Sequence, residues 1–200
     1  MDLSLNKTVI VDYDAGNIKS VANMLSYINV PFEITSDKNK ILSANRIIFP
    51  GQGHFAQAMN NLKNKGLIDV IKECCSRNIP FLGISIGLQI LFEKSEEAPG
   101  VDGLGIFKGE VKKFTQGKIP QIGWSRVKGV NKNSFIPDDY FYFVNSYYVV
   151  PEDKSIESAV GFYYQNYCAA VQKDNITAVQ FHPEKSAQAG LTFFKNWFSS

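Results

Sequence analysis

A serine flanked by two glycines is the first group in the sequence that could do chemistry. Ser85 interrupts the apolar stretch 79–92 and lies two residues from both Gly83 and Gly87. This spacing fits the G-x-S-x-G pattern, in which a strand turns sharply into a helix and the central side chain projects from the turn. The pattern predicts a nucleophile at residue 85. The alternative interpretation is a buried strand–helix turn with an unreactive serine.

A serine nucleophile needs a base, and the chain has two histidines. His182 ends an apolar run and is followed by Pro183 and Glu184. Proline keeps the residue before it extended, and in an extended chain residues two apart point the same way. Glu184 can therefore accept a hydrogen bond from Nδ1 of His182 and leave Nε2 facing the nucleophile. The alternative is a histidine that fills a strand end; His54 is predicted to be a surface histidine.

A glycine-rich loop could complete such a site. Gly51, Gln52 and Gly53 follow a predicted strand and offer backbone N–H groups that could hold an oxyanion. Taken alone, the two glycines indicate a tight turn equally well.

The elements that must position these residues alternate in the first half of the chain. Apolar extended runs at 8–11, 31–35 and 46–49 alternate with amphipathic helical patterns at 18–28, 55–66 and 68–75, and Pro80 begins the strand before Ser85. This alternation is typical of βαβ units and a parallel sheet. Ligands bind at the carboxyl ends of such strands, so the loops 12–17 and 50–55 and Ser85 are predicted to share one edge.

After Phe92 the pattern changes to short β-rich segments, predicted as antiparallel strands at 105–114, 140–150, 161–164, 167–172 and 176–181. The aromatic run 140–148 is predicted to be a strand buried on both faces rather than a platform for stacking bases. A last helix, 187–198, is predicted to turn four side chains inward: Leu191, Phe194, Trp197 and Phe198. The fold class is therefore α/β, with a central mostly parallel sheet and an appended antiparallel part, in a single domain over 1–200.

Composition excludes several classes. The chain has 21 Lys and Arg against 19 Asp and Glu, without the clustered basic face expected of a nucleic-acid partner. The longest apolar stretch, 79–92, is shorter than the roughly 20 residues of a membrane helix, and residues 1–7 lack the blocks of a signal peptide, so we expect a cytoplasmic protein. Three cysteines, two of them the neighbours Cys74 and Cys75, give neither a disulfide framework nor metal-ligand spacing and are predicted to be reduced and packed. No metal or cofactor is expected.

Together these features resemble the class I, triad-type glutamine amidotransferases, and within them most closely the glutaminase subunit of imidazole glycerol phosphate synthase. The resemblance runs over essentially the whole chain. The segments that carry it are 12–21, 50–55, Gly123-Trp124, 143–148 and 180–186.

The resemblance implies a three-layer fold and a site for L-glutamine. Residue 85 would attack the side-chain amide of glutamine, with His182 as base and Glu184 as the group that orients it. The oxyanion region and the contacts to the amino-acid end of the substrate would come from Gly51, Gln52, Gly53, Gln89 and the backbone at Ser146 and Tyr147.

The resemblance also implies a partner, a (βα)8-barrel synthase subunit bound as a heterodimer. Ammonia released from glutamine would pass to the barrel and react there with a phosphoribulosyl substrate. The residues that would face the synthase are Asn17, Trp124, Tyr142 and Lys185.

One departure from the family concerns the nucleophile, which is cysteine in the family and Ser85 here. A site tuned for sulfur should lose most of its activity with serine, because a hydroxyl depends wholly on its base. Three explanations are open: an engineered replacement, a natural inactive homologue and a working serine variant. The first is favoured because the supporting residues are intact. Gln121, Asn145 and Ser125 also replace the histidine, histidine and asparagine of many members.

Three other functions remain open. A paralogous amidotransferase could supply ammonia to another synthase, such as one that modifies a surface sugar. A serine hydrolase of the α/β-hydrolase type is opposed by the chain order, because here the best acid follows the histidine. A non-catalytic module that holds glutamine or the barrel becomes the leading interpretation if Ser85 is native.

Overall fold

The computed structural model describes residues 7–14, 16–130 and 135–200. Two parts of the sequence predictions lie outside these ranges. They are residues 1–6, most of the N-terminal stretch without signal-peptide blocks, and Ala15 of the first loop. Among the described residues, none of the helices has the length and apolar character needed to cross a membrane.

The first half of the chain alternates strands and helices as the sequence predicts. Its elements are β1 (Thr8–Val11), α1 (Ile18–Tyr27), β2 (Phe32–Thr35), α2 (Lys38–Leu42), β3 (Arg46–Phe49), α3 (Phe55–Asn64), α4 (Ile68–Ser76), β4 (Phe81–Ile84) and α5 (Ile86–Gln89). The one-turn helix α2 was not predicted; Asp37 caps it by accepting a hydrogen bond from the backbone of Lys40 at 2.9 Å.

The second half is mostly β-structure. Its elements are β5 (Lys94–Ser95), β6 (Gly109–Lys113), β7 (Gln121–Gly129), β8 (Asp139–Asn145), β9 (Tyr147–Pro151), β10 (Glu157–Phe162), β11 (Asn166–Lys173), β12 (Ile176–Val179) and α6 (Ala187–Ser199). Two 3-10 turns, Lys154–Ile156 and Pro183–Lys185, complete it.

The described strands form one mixed sheet whose main path runs β2-β1-β3-β4-β12-β11-β10-β7-β8. The first five of these strands are parallel, and β12 is then followed by antiparallel pairings. The predicted α/β fold with a parallel sheet and an antiparallel part is confirmed. One assignment within it is wrong: the segment 176–181, predicted as an antiparallel strand of the appended part, forms β12, which pairs parallel with β4 and antiparallel only with β11.

The core lies on both faces of the parallel strands. Along β1, Val9 and Val11 pack into one buried cluster and Ile10 into the other, because successive side chains of a strand point to opposite faces. Helices α3 and α4 cover the first cluster, and α1 and α6 cover the second. The result is a three-layer arrangement in which the loops after the strands remain uncovered.

The aromatic run after residue 139 differs from the prediction. It forms two strands, β8 and β9, that separate at Ser146, and β8 is buried on one face only. Phe141 and Phe143 are buried, whereas Tyr140 and Val144 are exposed. The prediction of a strand buried on both faces is wrong because β8 is the last strand of the sheet path and only its inner face meets the core.

The predicted last helix is confirmed, but the face that it buries is rotated about the helix axis relative to the prediction. Phe194 and Trp197 are buried as predicted, but Phe193 is also fully buried, while Leu191 and Phe198 are half-buried. The spacing 190, 193, 194 and 197 places these residues on one side of a helix, which therefore faces the sheet.

The turn from β4 into α5 requires glycine at both ends. A Cβ on Gly83 would lie 2.7 Å from the carbonyl oxygen of Gly87, and a Cβ on Gly87 would lie 2.2 Å from that of Phe49. Both obstacles are backbone atoms, so they cannot move aside as a flexible side chain would. The glycines of the pattern thus let β3, β4 and α5 approach closely.

Gly87→Ala is expected to lower the free energy of unfolding by about 3 kcal/mol, because the added methyl overpacks a backbone contact. Urea unfolding followed by circular dichroism measures the change. Gly100→Ala is the matched control: a Cβ there meets nothing within 4 Å, although φ is +83°, so it should cost about 1 kcal/mol from backbone conformation alone. Equal costs for the two substitutions would contradict the packing argument.

Candidate active site

A cavity of about 560 Å³ lies at the carboxyl edge of the parallel strands. The loops that follow β1, β3 and β4 contribute to its wall, as the strand order predicts, and so does the segment after β12. Ser85, His182, Gln52 and Gln89 all line it. Four segments that are far apart in the sequence therefore meet in one site.

Ser85 occupies the sharp turn between β4 and α5. Its backbone has φ 58° and ψ −110°, a left-handed conformation that an L-residue adopts at a cost. The neighbouring strand β12 holds this turn, because the Ser85 N–H donates to the carbonyl of Val179 at 2.7 Å. The side chain is 6% exposed and borders the cavity. This is the geometry of a nucleophile elbow.

His182 and Glu184 form a buried pair. Nδ1 of His182 lies 2.8 Å from Oε1 of Glu184, and the two side chains are 2% and 0% exposed. An ionised carboxylate only accepts hydrogen bonds, so Nδ1 carries the proton and Nε2 is left as an acceptor. The predicted contact between Nδ1 of His182 and the Glu184 carboxylate is present.

A third side chain joins the pair, which sequence reasoning missed. Nδ2 of Asn17 donates to Oε1 of Glu184 and lies 3.4 Å from Nδ1 of His182. Asn17 precedes α1 with φ 78°, a left-handed conformation that asparagine tolerates better than most residues. The resemblance places Asn17 only toward the partner, whereas here its half-buried amide also contacts the carboxylate. The Gly16-Asn17 pair could have indicated the left-handed conformation. The contact with Glu184 could not have been predicted, because the two residues are 167 positions apart.

The glycine loop lies beside the elbow. A Cβ on Gly51 would sit 2.1 Å from Cγ2 of Ile86 and 2.3 Å from the hydroxyl oxygen of Tyr13, so only glycine fits. Gly53 has φ +113°, and both it and Gln52 line the cavity. The loop backbone is thus held within reach of the residue after Ser85.

The floor of the cavity includes two amide side chains, Gln89 and Asn145, and a third, that of Gln180, contacts Gln89. Nε2 of Gln89 donates to the carbonyl of Tyr147 at 3.3 Å and to Oε1 of Gln180 at 3.0 Å. Nδ2 of Asn145 donates to the same Tyr147 carbonyl at 2.9 Å. Gln89 and the backbone of Ser146 and Tyr147, predicted to bind substrate, are therefore adjacent, and all three residues line the cavity.

Gln180 had no predicted role. It is fully buried, and its Nε2 has no hydrogen-bond partner among the described residues. Its position two residues before His182 could have indicated that its side chain points toward the site, because alternate residues of an extended chain point the same way. Gln180 fixes the amide of Gln89 from below.

Two of the four predicted partner-facing residues, Trp124 and Tyr142, lie on an apolar surface of β7 and β8. We define the aromatic face as Ile122, Trp124, Tyr140, Tyr142 and Val144. The register pairs Ile122 with Val144 and Trp124 with Tyr142, so these side chains share one side of the sheet. Trp124 is 53% exposed, and its ring lies 6.1 Å from that of Tyr142. Lys185 is exposed and lines the mouth of the cavity.

The three cysteines are free thiols and are buried, as predicted. Burial raises the pKa of Cys74 to about 11 and that of Cys75 to about 12, and it also raises the pKa of Cys168. Thiols with such pKa values carry almost no thiolate near neutral pH. Within the described ranges no group of three or more His, Cys, Asp or Glu side chains could hold a metal ion.

Residues 9–199 match the family described as glutamine amidotransferase class-I. Relatives named imidazole glycerol phosphate synthase subunit HisH are 45% identical in Dehalococcoides mccartyi (strain CBDB1), 42% in Moorella thermoacetica and 40% in Aquifex aeolicus. These matches cover 94%, 94% and 96% of this chain and 95%, 92% and 95% of the relatives.

Solved structures share the fold at low sequence identity. A glutamine amidotransferase crystal structure matches with a TM-score of 0.76 at 15% identity, covering 95% of this chain and 98% of that one. PurLQS from Thermotoga maritima matches with a TM-score of 0.74 at 17% identity, with coverage of 97% and 98%. At such identities the likeness concerns the fold alone.

Proposed function

This chain belongs to the class I glutamine amidotransferase family, and from that premise we propose that it is the glutaminase subunit of imidazole glycerol phosphate synthase. In this role it hydrolyses L-glutamine to glutamate and ammonia for histidine biosynthesis. The observation that carries the proposal is the buried His182–Glu184 pair, with Nδ1 and Oε1 2.8 Å apart, in a segment that lines the same cavity as Ser85 on its elbow. The HisH relatives, 40–45% identical over more than nine-tenths of both chains, support the choice of subunit.

In the proposed reaction, residue 85 attacks the side-chain carbonyl carbon of glutamine while Nε2 of His182 takes its proton. Backbone N–H groups of the loop Gly51-Gln52-Gly53 stabilise the oxyanion of the tetrahedral intermediate. When that intermediate collapses, the carbon–nitrogen bond breaks and His182 returns the proton to the departing ammonia. Water, activated by the same imidazole, then releases glutamate from residue 85.

The cavity floor holds the substrate in this proposal. Gln89 and the backbone of Ser146 and Tyr147 bind the amino-acid end of glutamine, since they lie together in the cavity that Ser85 borders. The side-chain amides of Gln89 and Asn145 both donate to the carbonyl of Tyr147, and these hydrogen bonds keep that backbone in place. We also propose that residue 85 is cysteine in the active form and that Ser85 leaves this chain with little glutaminase activity, because its hydroxyl lacks the thiolate character of the family nucleophile.

The aromatic face is the proposed docking site for a (βα)8-barrel synthase subunit, in a cytoplasmic heterodimer. Exposed aromatic side chains grouped on one surface are typical of interface anchors. Asn17 and Lys185 lie near the cavity mouth, where ammonia would leave toward the barrel. Glutamate release by Ser85→Cys in the presence of the barrel subunit tests the function; the absence of stimulation by the barrel would count against the assigned pathway.

Trp124→Ala is expected to weaken binding of the barrel subunit from the same organism by about 30-fold, the effect of removing a central anchor worth roughly 2 kcal/mol. Isothermal titration calorimetry measures the affinity. Tyr27→Ala is the matched control, since Tyr27 is an exposed aromatic residue, 74% accessible, on α1 and outside the aromatic face. An equal loss from both substitutions, or none from Trp124→Ala, would place the interface elsewhere.

A further inference from the structure

Ser186 occupies the N-terminal cap position of α6 but does not cap the helix. A serine at this position usually accepts a hydrogen bond from a backbone N–H of the first turn. Here the hydroxyl instead donates to the carbonyl of His182 at 2.7 Å and accepts from the N–H of Tyr142 at 2.9 Å. Ser186 is fully buried. Its hydroxyl therefore joins the turn that bears His182 to strand β8.

Strand β8 ends the path of the sheet, so the described strands leave its outer edge unpaired. At Tyr142 that edge is occupied by the His182 turn. The N–H of His182 donates to the Tyr142 carbonyl at 2.9 Å, and the Tyr142 N–H donates to Ser186. Both backbone groups of one residue thus hold the turn, and the Ser186 hydroxyl is the bridge between Tyr142 and His182.

Removing this hydroxyl would leave the half-buried N–H of Tyr142 without a partner, and the His182 carbonyl would keep only the N–H of Lys185, at 3.0 Å. Unsatisfied buried groups of this kind are costly, so the turn would shift to find new partners. His182 would move with such a shift, because Glu184, which holds its ring, lies in the same turn. A displacement of about 1 Å in a catalytic group can cost about 100-fold in rate.

We propose that Ser186 is a positioning residue for His182: its hydroxyl holds the base-bearing turn against β8 and so sets where the imidazole lies relative to residue 85. The proposal rests on the proposed function only in taking His182 as the base. The Tyr142 side chain belongs to the aromatic face, so a partner docked there acts on the same residue that holds the turn. A movement of β8 therefore also moves His182.

The chain has two histidines, so ¹⁵N-histidine NMR reports His182 directly with exposed His54 as an internal reference. In Ser186→Ala we expect the ring nitrogen signals of His182 to shift or broaden and those of His54 to stay unchanged. Ser158→Ala is the matched control: it removes another fully buried serine hydroxyl, one without a hydrogen-bond partner among the described residues, from β10. It should leave both histidines unchanged. Unchanged His182 signals in folded Ser186→Ala would overturn the proposal.

A kinetic measurement separates positioning from general stability. In the Ser85→Cys background, Ser186→Ala is expected to lower kcat about 10- to 100-fold while KM for glutamine changes less than about threefold. Ser186→Thr, which keeps the hydroxyl, should retain the His182 signals and preserves the test if Ser186→Ala does not fold; loss of those signals in folded Ser186→Thr would overturn the proposal. If Ser85→Cys with intact Ser186 shows no glutaminase activity, the function fails, whereas the NMR result still decides the positioning role.

Discussion

Replacing Ser85 with cysteine is expected to raise the rate of glutamine hydrolysis by at least about 100-fold, measured with the barrel subunit bound. The reason is that the supporting groups are already in place. His182 and Glu184 are paired at 2.8 Å, and the elbow backbone is held by Val179. A thiol placed there is partly ionised near neutral pH and strongly nucleophilic, whereas the serine hydroxyl depends entirely on the base.

The gain can be assigned to residue 85 by labelling. Cys74, Cys75 and Cys168 are buried, and burial raises the pKa of each thiol, so iodoacetamide should leave the Ser85 form almost unlabelled near neutral pH. Ser85→Cys should gain one labelled site, protected by glutamine. Glutamate release is then followed by an enzyme-coupled assay, and His182→Ala in the same background should abolish the gain.

Other outcomes would identify the remaining alternatives. A Ser85→Cys variant that is labelled but hydrolyses no glutamine, alone or with the barrel, would contradict the enzyme interpretation and favour a binding module. Hydrolysis of a simple ester by the Ser85 form, faster than that of glutamine, would favour a serine hydrolase. Stimulation by a different synthase but not by the barrel would favour a paralogous ammonia supplier.

The sequence predicts the parallel half of the fold closely because its signals are local. Short runs of mainly apolar residues give β1, β3 and β4 their bounds. Gly66, with φ +62°, follows the end of α3, where a glycine is expected. The edge at which the site lies then follows from strand direction alone. This is why the sequence places Ser85 and the glycine loop at one edge. Strand direction did not place His182, because the sequence predicts 176–181 as an antiparallel strand, whereas β12 runs parallel to β4.

The antiparallel half is less predictable because its burial depends on neighbours that the sequence does not reveal. Strand β7 was not predicted: exposed Ile122 and Trp124 alternate with half-buried Gly123 and Ser125, a pattern without a clear apolar side. In β8 four consecutive aromatic residues, 140–143, indicate burial on both faces, although Tyr140 is 57% exposed. Apolar residues on an exposed face are indistinguishable in sequence from core residues.

The contacts around the His182–Glu184 pair could not be predicted from the sequence either. Asn17 and Glu184 are 167 residues apart, and Ser186 reaches Tyr142 across 44. Each residue has an adequate local explanation, as a left-handed turn residue or as a helix cap. Only the fold shows that both amide and hydroxyl are directed at the His182–Glu184 pair and its turn.

Glu184→Gln in the Ser85→Cys background is expected to lower kcat by about 1000-fold, with little change in KM. The Glu184 side chain is fully buried, contacts Nδ1 of His182 and is not part of the cavity wall, so the substitution should affect the base and not substrate binding. A neutral amide cannot stabilise the imidazolium that forms when His182 takes a proton. Pre-steady-state and steady-state glutamate release give kcat and KM separately.

The size of this loss in kcat depends on Asn17. Its Nδ2 donates to Oε1 of Glu184 and should hold the oxygen of an introduced glutamine in the same place, so that Nδ1 of His182 keeps its proton. Asn17→Ala combined with Glu184→Gln removes that constraint. The amide can then turn its NH₂ group toward Nδ1 and force the proton onto Nε2, so the double variant should fall about tenfold further, toward 10⁴-fold in total. A Glu184→Gln enzyme within about tenfold of its parent would show that this carboxylate does not orient the base.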